Sequence, residues 1–344
     1  MFQRILVPLD GSSRAEHAIP VAALIAHASG GSLVLLRVVP PLIEDDIHRS
    51  QLGFPEESLQ VRIAEATDYL TRVVQFDQAD ELEGIETSIE VLSGEIAPTL
   101  LSHTQSSGAD MIVMCSRGEA GFKRWMLGSV ATKVARHTPV PVLILREHEP
   151  VPPLPPPDAL ITVRALVALD GSALSEAILK PAAHLVAALA TPAQGALHLL
   201  RVVDVPAING LGNSQAYSEP AMQNAQKYLA SVVERLQNGC AGRLRLAVTS
   251  SVVADRDVAG AIIAAGKRLG EDGGSERIIA MSTHGRGGVQ RWAVGSVTER
   301  VLPKTTLPLF IIRPQEMETK GEEPGKTTKD EVTEVEIQTW TGLL

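Results

Sequence analysis

Residues 110–129, DMIVMCSRGEAGFKRWMLGS, return in altered form at 277–296, RIIAMSTHGRGGVQRWAVGS. Each copy reads as a short apolar strand, a loop carrying a glycine, and a Gly-Ser pair after nine intervening residues. The glycines are Gly118 with Gly128-Ser129, and Gly285 with Gly295-Ser296. Spacing matched this closely marks a duplicated module, so the chain has to fold as two similar halves. Glycine lets backbone approach an oxyanion, and the N–H groups at a helix N-terminus attract negative charge without a cationic side chain. A phosphate cradle is therefore one reading of these residues. Gly118 and Gly285 would equally serve to turn the chain, and Gly128 and Gly295 to let a helix pack closely. Spacing alone leaves both readings open.

The rest of the chain repeats in step. Residues 5–9 and 165–169 are apolar runs ending in Asp10-Gly11-Ser12 and Asp170-Gly171-Ser172. An alanine-rich helix is expected after each. In the first half, Ser13 and Glu16 form a capping box before a helix over 18–28, and Gly30-Gly31 stops it. SLVLLRVV (32–39) and ALHLLRVV (196–203) are apolar but for an arginine near the end and, in the second, His198, as befits strands in the middle of a covered sheet. Long polar segments, 40–57 and 204–219, follow and read as lids or decoration. Helices over 58–82 and 220–237 then lead to strands over 86–92 and 244–252. Shorter helices at 95–105 and 257–269 lead into the duplicated strands. Each half closes with a helix, 122–137 or 289–302, and a last strand, 140–145 or 307–312.

Strands alternating with helices of this length predict parallel sheets covered on both faces, five strands per half and doubly wound. In such sheets ligands bind beyond the C-terminal strand ends where the strand order reverses. Asp10 and the Gly118 loop both fall at such ends. The expected organisation is a first domain at 1–148, a proline-rich linker at 149–160, a second domain at 161–315 and a disordered acidic tail at 316–344.

Composition narrows the function. Only 3% of residues are aromatic, so the cores are built from Ala, Val, Ile and Leu. The formal net charge is −9; the tail holds eight acidic and three basic residues, which leaves −4 for residues 1–315. Nucleic-acid binding through a broad basic face is not expected. Cys115 and Cys240 occupy non-equivalent places and form no CxxC or Cys/His cluster, so neither a disulfide framework nor a zinc site is indicated. No secretory leader and no run of about 18 apolar residues is read from the sequence, and the expected location is the cytoplasm, without membrane binding.

Taken together, ILVPLDGS at the start, LLRVV on the second strand, and the glycine loop with its Gly-Ser pair resemble the universal stress protein family, as a tandem member matching in both halves. The resemblance implies Rossmann-like domains of five parallel strands in order 3-2-1-4-5 and a site that in some members holds ATP, with magnesium accompanying it, and in others is empty. By position, Asp10, Val38, Asp170 and Val202 would contact adenine and ribose. Gly118, Gly128, Ser129, Gly285, Gly295 and Ser296 would hold phosphates. The family's G-x2-G-x9-G-S/T pattern expects a glycine three residues before Gly118 and Gly285, where this chain has Cys115 and Ser282. Arg117, Gly118, Glu119 and Ala120 put a carboxylate near the phosphates, whereas His284 to Gly288 offers a cation and more backbone, so the second half is expected to be the better phosphate site. The resemblance also implies that the last strand pairs with another domain, 142–145 with 309–312 within the chain; a homodimer is a further assembly to be tested.

Plainer roles stand beside these. Asp10 and Asp170 would tie down their own turns through Asx-type hydrogen bonds. Trp125 and Trp292 read as core or interface, Cys115 as a small hydrophobe, and His284 lacks the Ser/Asp partners of a triad. No residue reads as a general base, and the GxxxxGK[ST] loop is absent, so the expected function is non-enzymatic. It is an adenine-nucleotide-binding regulator of stress response, the alternative being a nucleotide-free scaffold acting through dimerisation or partner surfaces.

Overall fold

The structure, a computed structural model, describes residues 1–41, 59–116, 127–146, 161–204, 214–269, 276–283 and 295–314. The first half runs β1 (Arg4–Pro8), α1 (Ser13–Glu16), α2 (Ala18–Ser29), β2 (Ser32–Val39), α3 (Leu59–Arg72), β3 (Thr87–Ser93), α4 (Ile96–Ser106), β4 (Met111–Cys115), α5 (Ser129–His137) and β5 (Val142–Leu145). The second runs β6 (Ile161–Ala168), α6 (Ala173–Glu176), α7 (Leu179–Ala190), β7 (Gln194–Val203), α8 (Ser214–Asn238), α9 (Cys240–Arg243), β8 (Ala247–Ala254), α10 (Val258–Arg268), β9 (Glu276–Ser282), α11 (Ser296–Val301) and β10 (Leu309–Ile312).

The strands form one ten-stranded sheet in the order β3-β2-β1-β4-β5-β10-β9-β6-β7-β8. Within each half every pairing is parallel, in the order 3-2-1-4-5. The fold is thus α/β, with two tandem doubly wound halves. Continuous apolar strands make this possible, because successive side chains point to opposite faces and both faces are covered. On β1, Ile5 and Val7 enter one buried cluster and Leu6 the other.

The halves meet where β5 lies antiparallel to β10, with Val142 opposite Ile311, Leu143 opposite Phe310 and Ile144 opposite Leu309. These six side chains are fully buried. On one face of the sheet α2 packs on α7, and Phe310 meets Phe2 edge to face with ring centroids 6.4 Å apart. On the other, Arg136 of α5 pairs with Glu299 of α11 at 3.2 Å, and the Arg146 guanidinium donates to the Leu302 carbonyl. Residues Met1–Pro314 accordingly form one compact unit.

Several local expectations are corrected. Ser12, not Ser13, caps α1: its Oγ accepts from the Ala15 N–H at 3.2 Å. Glu16 therefore does not close a capping box; its carboxylate accepts instead from the Tyr69 hydroxyl at 2.8 Å. The helix expected over 122–137 starts only at Ser129 among the described residues, because Gly128 is extended (φ −61°, ψ 153°) and serves as its N-cap; Gly295 does the same for α11. α3 ends in a π-helical turn at Val73–Asp77, short of residue 82. Gly30, left-handed at φ 62°, does stop α2, its N–H donating to carbonyls of the last turn. The stretch Ala173–Ala190 is long and apolar enough for a membrane span by length and composition alone, although it contains Glu176 and Lys180; it is α6 and α7, whose apolar side chains pack mostly into the core. The linker, the tail, Trp125 and Trp292 lie outside the described residues.

Candidate functional site

In each half the two central strands, β1 beside β4 and β6 beside β9, leave their C-terminal ends next to each other at the point where strand order reverses. Asp10 follows β1, and its Oδ1 accepts from the Ser12 N–H (3.1 Å) and hydroxyl (2.6 Å). Asp170 does the same with Ser172, at 2.9 and 2.6 Å. The serine hydroxyl thus donates to the aspartate while accepting from the first helical turn, in both halves. The turn chemistry expected of Asp-Gly-Ser is present, and it fixes each carboxylate at the strand end. Gly11 makes the turn possible: it has φ +90°, and a Cβ there would come within 2.7 Å of the Arg37 guanidinium.

Val38 and Val202, one residue before the ends of β2 and β7, are half-buried and pack against the second cluster. Beside the central strands the glycine loops close on themselves. The Gly128 N–H donates to the Ser116 carbonyl at 2.8 Å, and Gly295 to Thr283 at 2.6 Å. Each loop therefore leaves a strand end and returns to it before its helix begins, with Ser129 or Ser296 exposed at the first helical position. Gly118 and Gly285, with Arg117, Glu119, Ala120 and the residues from His284 to Gly288, lie outside the described residues.

Cys115 ends β4 half-buried, its Sγ 4.0 Å from the Ala15 carbonyl, and is not in a disulfide; Ser282, its counterpart, is buried. Among the described residues no group of three or more His, Cys, Asp or Glu is placed to hold a metal ion.

Sequence reasoning passed over one constellation. The arginine that interrupts each LLRVV strand lies over a tyrosine ring: Arg37 is 4.9 Å from the centroid of Tyr69, and Arg201 is 5.1 Å from that of Tyr228. Tyr69 then donates to Glu16 on α1, so helix α3 is tied to the turn carrying Asp10. In the second half Glu176, the counterpart of Glu16, faces the Tyr228 hydroxyl and is also held at 2.7 Å by Arg235. Burial, then the neighbouring glutamate, pushes both phenols well above the usual tyrosine range. An arginine at the same place in two largely apolar strands was the signal that could have found this.

Comparison with known proteins places the chain. The sequence model of the universal stress protein family matches residues 1–146 and again 163–313. The chain belongs to that family. A universal stress protein of Mycolicibacterium smegmatis is 25% identical over 312 residues, covering 90% of this chain and 97% of its own. A crystal structure of a universal stress protein from Archaeoglobus fulgidus shares the fold, with a TM-score of 0.57 at 20% identity, over 91% of this chain and 99% of that one. A solved universal stress protein in complex with cAMP is similar over 41% of this chain and 94% of its own, at 23% identity and a TM-score of 0.28. Both halves of this tandem universal stress protein are thus matched by the family's sequence model.

Proposed function

We propose that this tandem universal stress protein is a non-enzymatic regulator that binds an adenine nucleotide, ATP with its magnesium, in one or both halves. One observation carries the reading: in each half an Asp-Gly-Ser turn and a Gly-Ser helix cap follow neighbouring parallel strands where the strand order reverses. Asp10 with Val38, and Asp170 with Val202, take the adenine and ribose; Gly118, Gly128 and Ser129, and Gly285, Gly295 and Ser296, take the phosphates. The second half is the stronger site. The working organisation is two domains, 1–148 and 161–315, a linker at 149–160 and a tail at 316–344, paired through their last strands and located in the cytoplasm. Neither nucleic acid nor membrane is a partner.

A scaffold reading, with function in partner surfaces or a homodimer, draws support from the side chains Cys115 and Ser282 at positions where the family pattern has glycine. Two experiments separate the readings. Freshly purified protein is denatured, and released nucleotide is identified by chromatography and mass. Then Gly118→Trp and Gly285→Trp are titrated with Mg-ATP by calorimetry. The nucleotide reading expects about one or two bound nucleotides per chain and loss of binding in the double variant, with self-association intact. No released nucleotide and no response to millimolar Mg-ATP would leave the scaffold.

A further inference from the structure

The seam between the central strands and the first helical turn has a different chemistry in the two halves. In the first it is lined by Ala15 and Cys115. At the same repeat positions the second has Ser175 and Ser282. Both serines are buried, at 4% and 8% exposure. Ser175 is fully engaged: its hydroxyl donates to the Ser172 carbonyl at 2.8 Å and accepts from the Asp170 N–H at 3.3 Å. Among the described residues the Ser282 hydroxyl has no hydrogen-bond partner.

A buried hydroxyl without a hydrogen bond is unfavourable, and such groups are uncommon enough to require a reason. Packing does not require it, since the first half fills the same place with a thiol. Its position supplies the reason. Strand alternation puts Ser282 on the face of Ile278 and Ala280, toward α6, which follows the Asp170 turn. Its own carbonyl accepts from the Thr298 hydroxyl at 3.1 Å, so the residue is fixed between the Asp170 turn and the Gly295-Ser296 cap.

We infer that Ser282 is a ligand-contacting residue of the second half, its hydroxyl donating to an oxygen on the ribose-phosphate portion of the bound adenine nucleotide. The inference rests on the nucleotide reading above and adds to it a side-chain contact that the first half lacks. A serine at this position is then a replacement for close backbone approach, and the thiol of Cys115, a weak donor, is not.

The test uses the full chain, stripped of endogenous nucleotide, as wild type, Ser282→Ala and Ser107→Ala. Ser107 is the control, because its hydroxyl also lacks a partner among the described residues but sits at the end of α4, before β4 rather than after it. Calorimetric titration with Mg-ATP is expected to show about five- to tenfold weaker binding at one site in Ser282→Ala and none in Ser107→Ala. Without ligand, Ser282→Ala is expected to melt at the wild-type temperature or slightly above it. Unchanged affinity in Ser282→Ala, with wild type binding, would overturn the serine assignment alone. A ligand-free melting temperature lowered by several degrees would also overturn it, by showing that the hydroxyl is bonded within the protein. Absence of Mg-ATP binding in wild type would sink the nucleotide reading, and this inference with it.

Discussion

The turns after β1 and β6 have the same backbone and the same Asp-Ser hydrogen bonds, yet what lies beneath them is apolar in one half and hydroxylic in the other. The shared part is what the fold needs to reverse the chain at a strand end. The part that differs, Ala15 and Cys115 against Ser175 and Ser282, leaves the course of the backbone unchanged and alters the polar groups beneath the turn. Equivalence of backbone thus does not carry equivalence of side-chain chemistry, and the two halves of a tandem chain are separate experiments on one architecture.

The largest expected effect tests whether the halves can be compared as parts of one cooperative body. Phe310 is fully buried and meets Phe2 from the other half. Phe310→Ala is expected to cost about 3–5 kcal/mol. Denaturant unfolding followed by probes in each half should show both transitions moving together; a shift confined to the second half would mean that they unfold independently.

Next in size are exchanges across the seams. Cys115→Ser puts a hydroxyl into the apolar seam and is expected to destabilise the ligand-free chain by about 1–2 kcal/mol. Ser282→Cys, which imports the first half's residue, should be close to neutral. Equal losses in the denaturation midpoints would erase the chemical distinction between the seams.

Removal of the two caps sharpens the comparison from the other side. Ser12→Ala and Ser172→Ala each lose the hydroxyl that accepts from the first turn, at 3.2 and 3.1 Å, and each is expected to lose about 1 kcal/mol. Losses that differ by more than about that amount would show that matched hydrogen bonds do not make matched turns.

Most of the fold was legible because buried parallel strands leave a signature that few other structures share: runs such as SLVLLRVV and MIVMC, each followed by turn residues. The helices were less legible where one backbone angle decides. The amphipathic pattern over 122–137 continues through Gly128, and nothing in composition says that this glycine is extended and caps α5. At the site, Asp10 and Asp170 could be placed by topology. The tie from Arg37 through Tyr69 to Glu16 could not, because its members lie on separate elements and meet only after β2 and α3 have packed.

The smallest expected effect is a pH dependence seated in the second half. His198 on β7 lies against Thr249 and Ser251 of β8 at 2.8 and 2.7 Å, and burial, then Arg164, holds it below the ordinary imidazole range. His184 is lowered by burial, the chain's amino terminus and Lys180. Below about pH 6.5 the unfolded chain takes up protons at both positions before the folded chain does. Stability is therefore fully present above that pH and declines as the pH falls toward the folded values. Melting curves between pH 7.5 and about 5 should show the decline, and His198→Gln should flatten it in part; an unchanged slope in that variant would remove His198 from the account.

The antiparallel junction of β5 with β10 has an evolutionary consequence. A symmetric dimer has to present one surface to itself, so every substitution there occurs twice and must suit its own copy. Once both strands are encoded in a single chain, with Leu143 against Phe310 rather than against another leucine, each side can change alone. That release extends to everything behind the strands: one half is free to lose a site or alter its chemistry while the other keeps the original task.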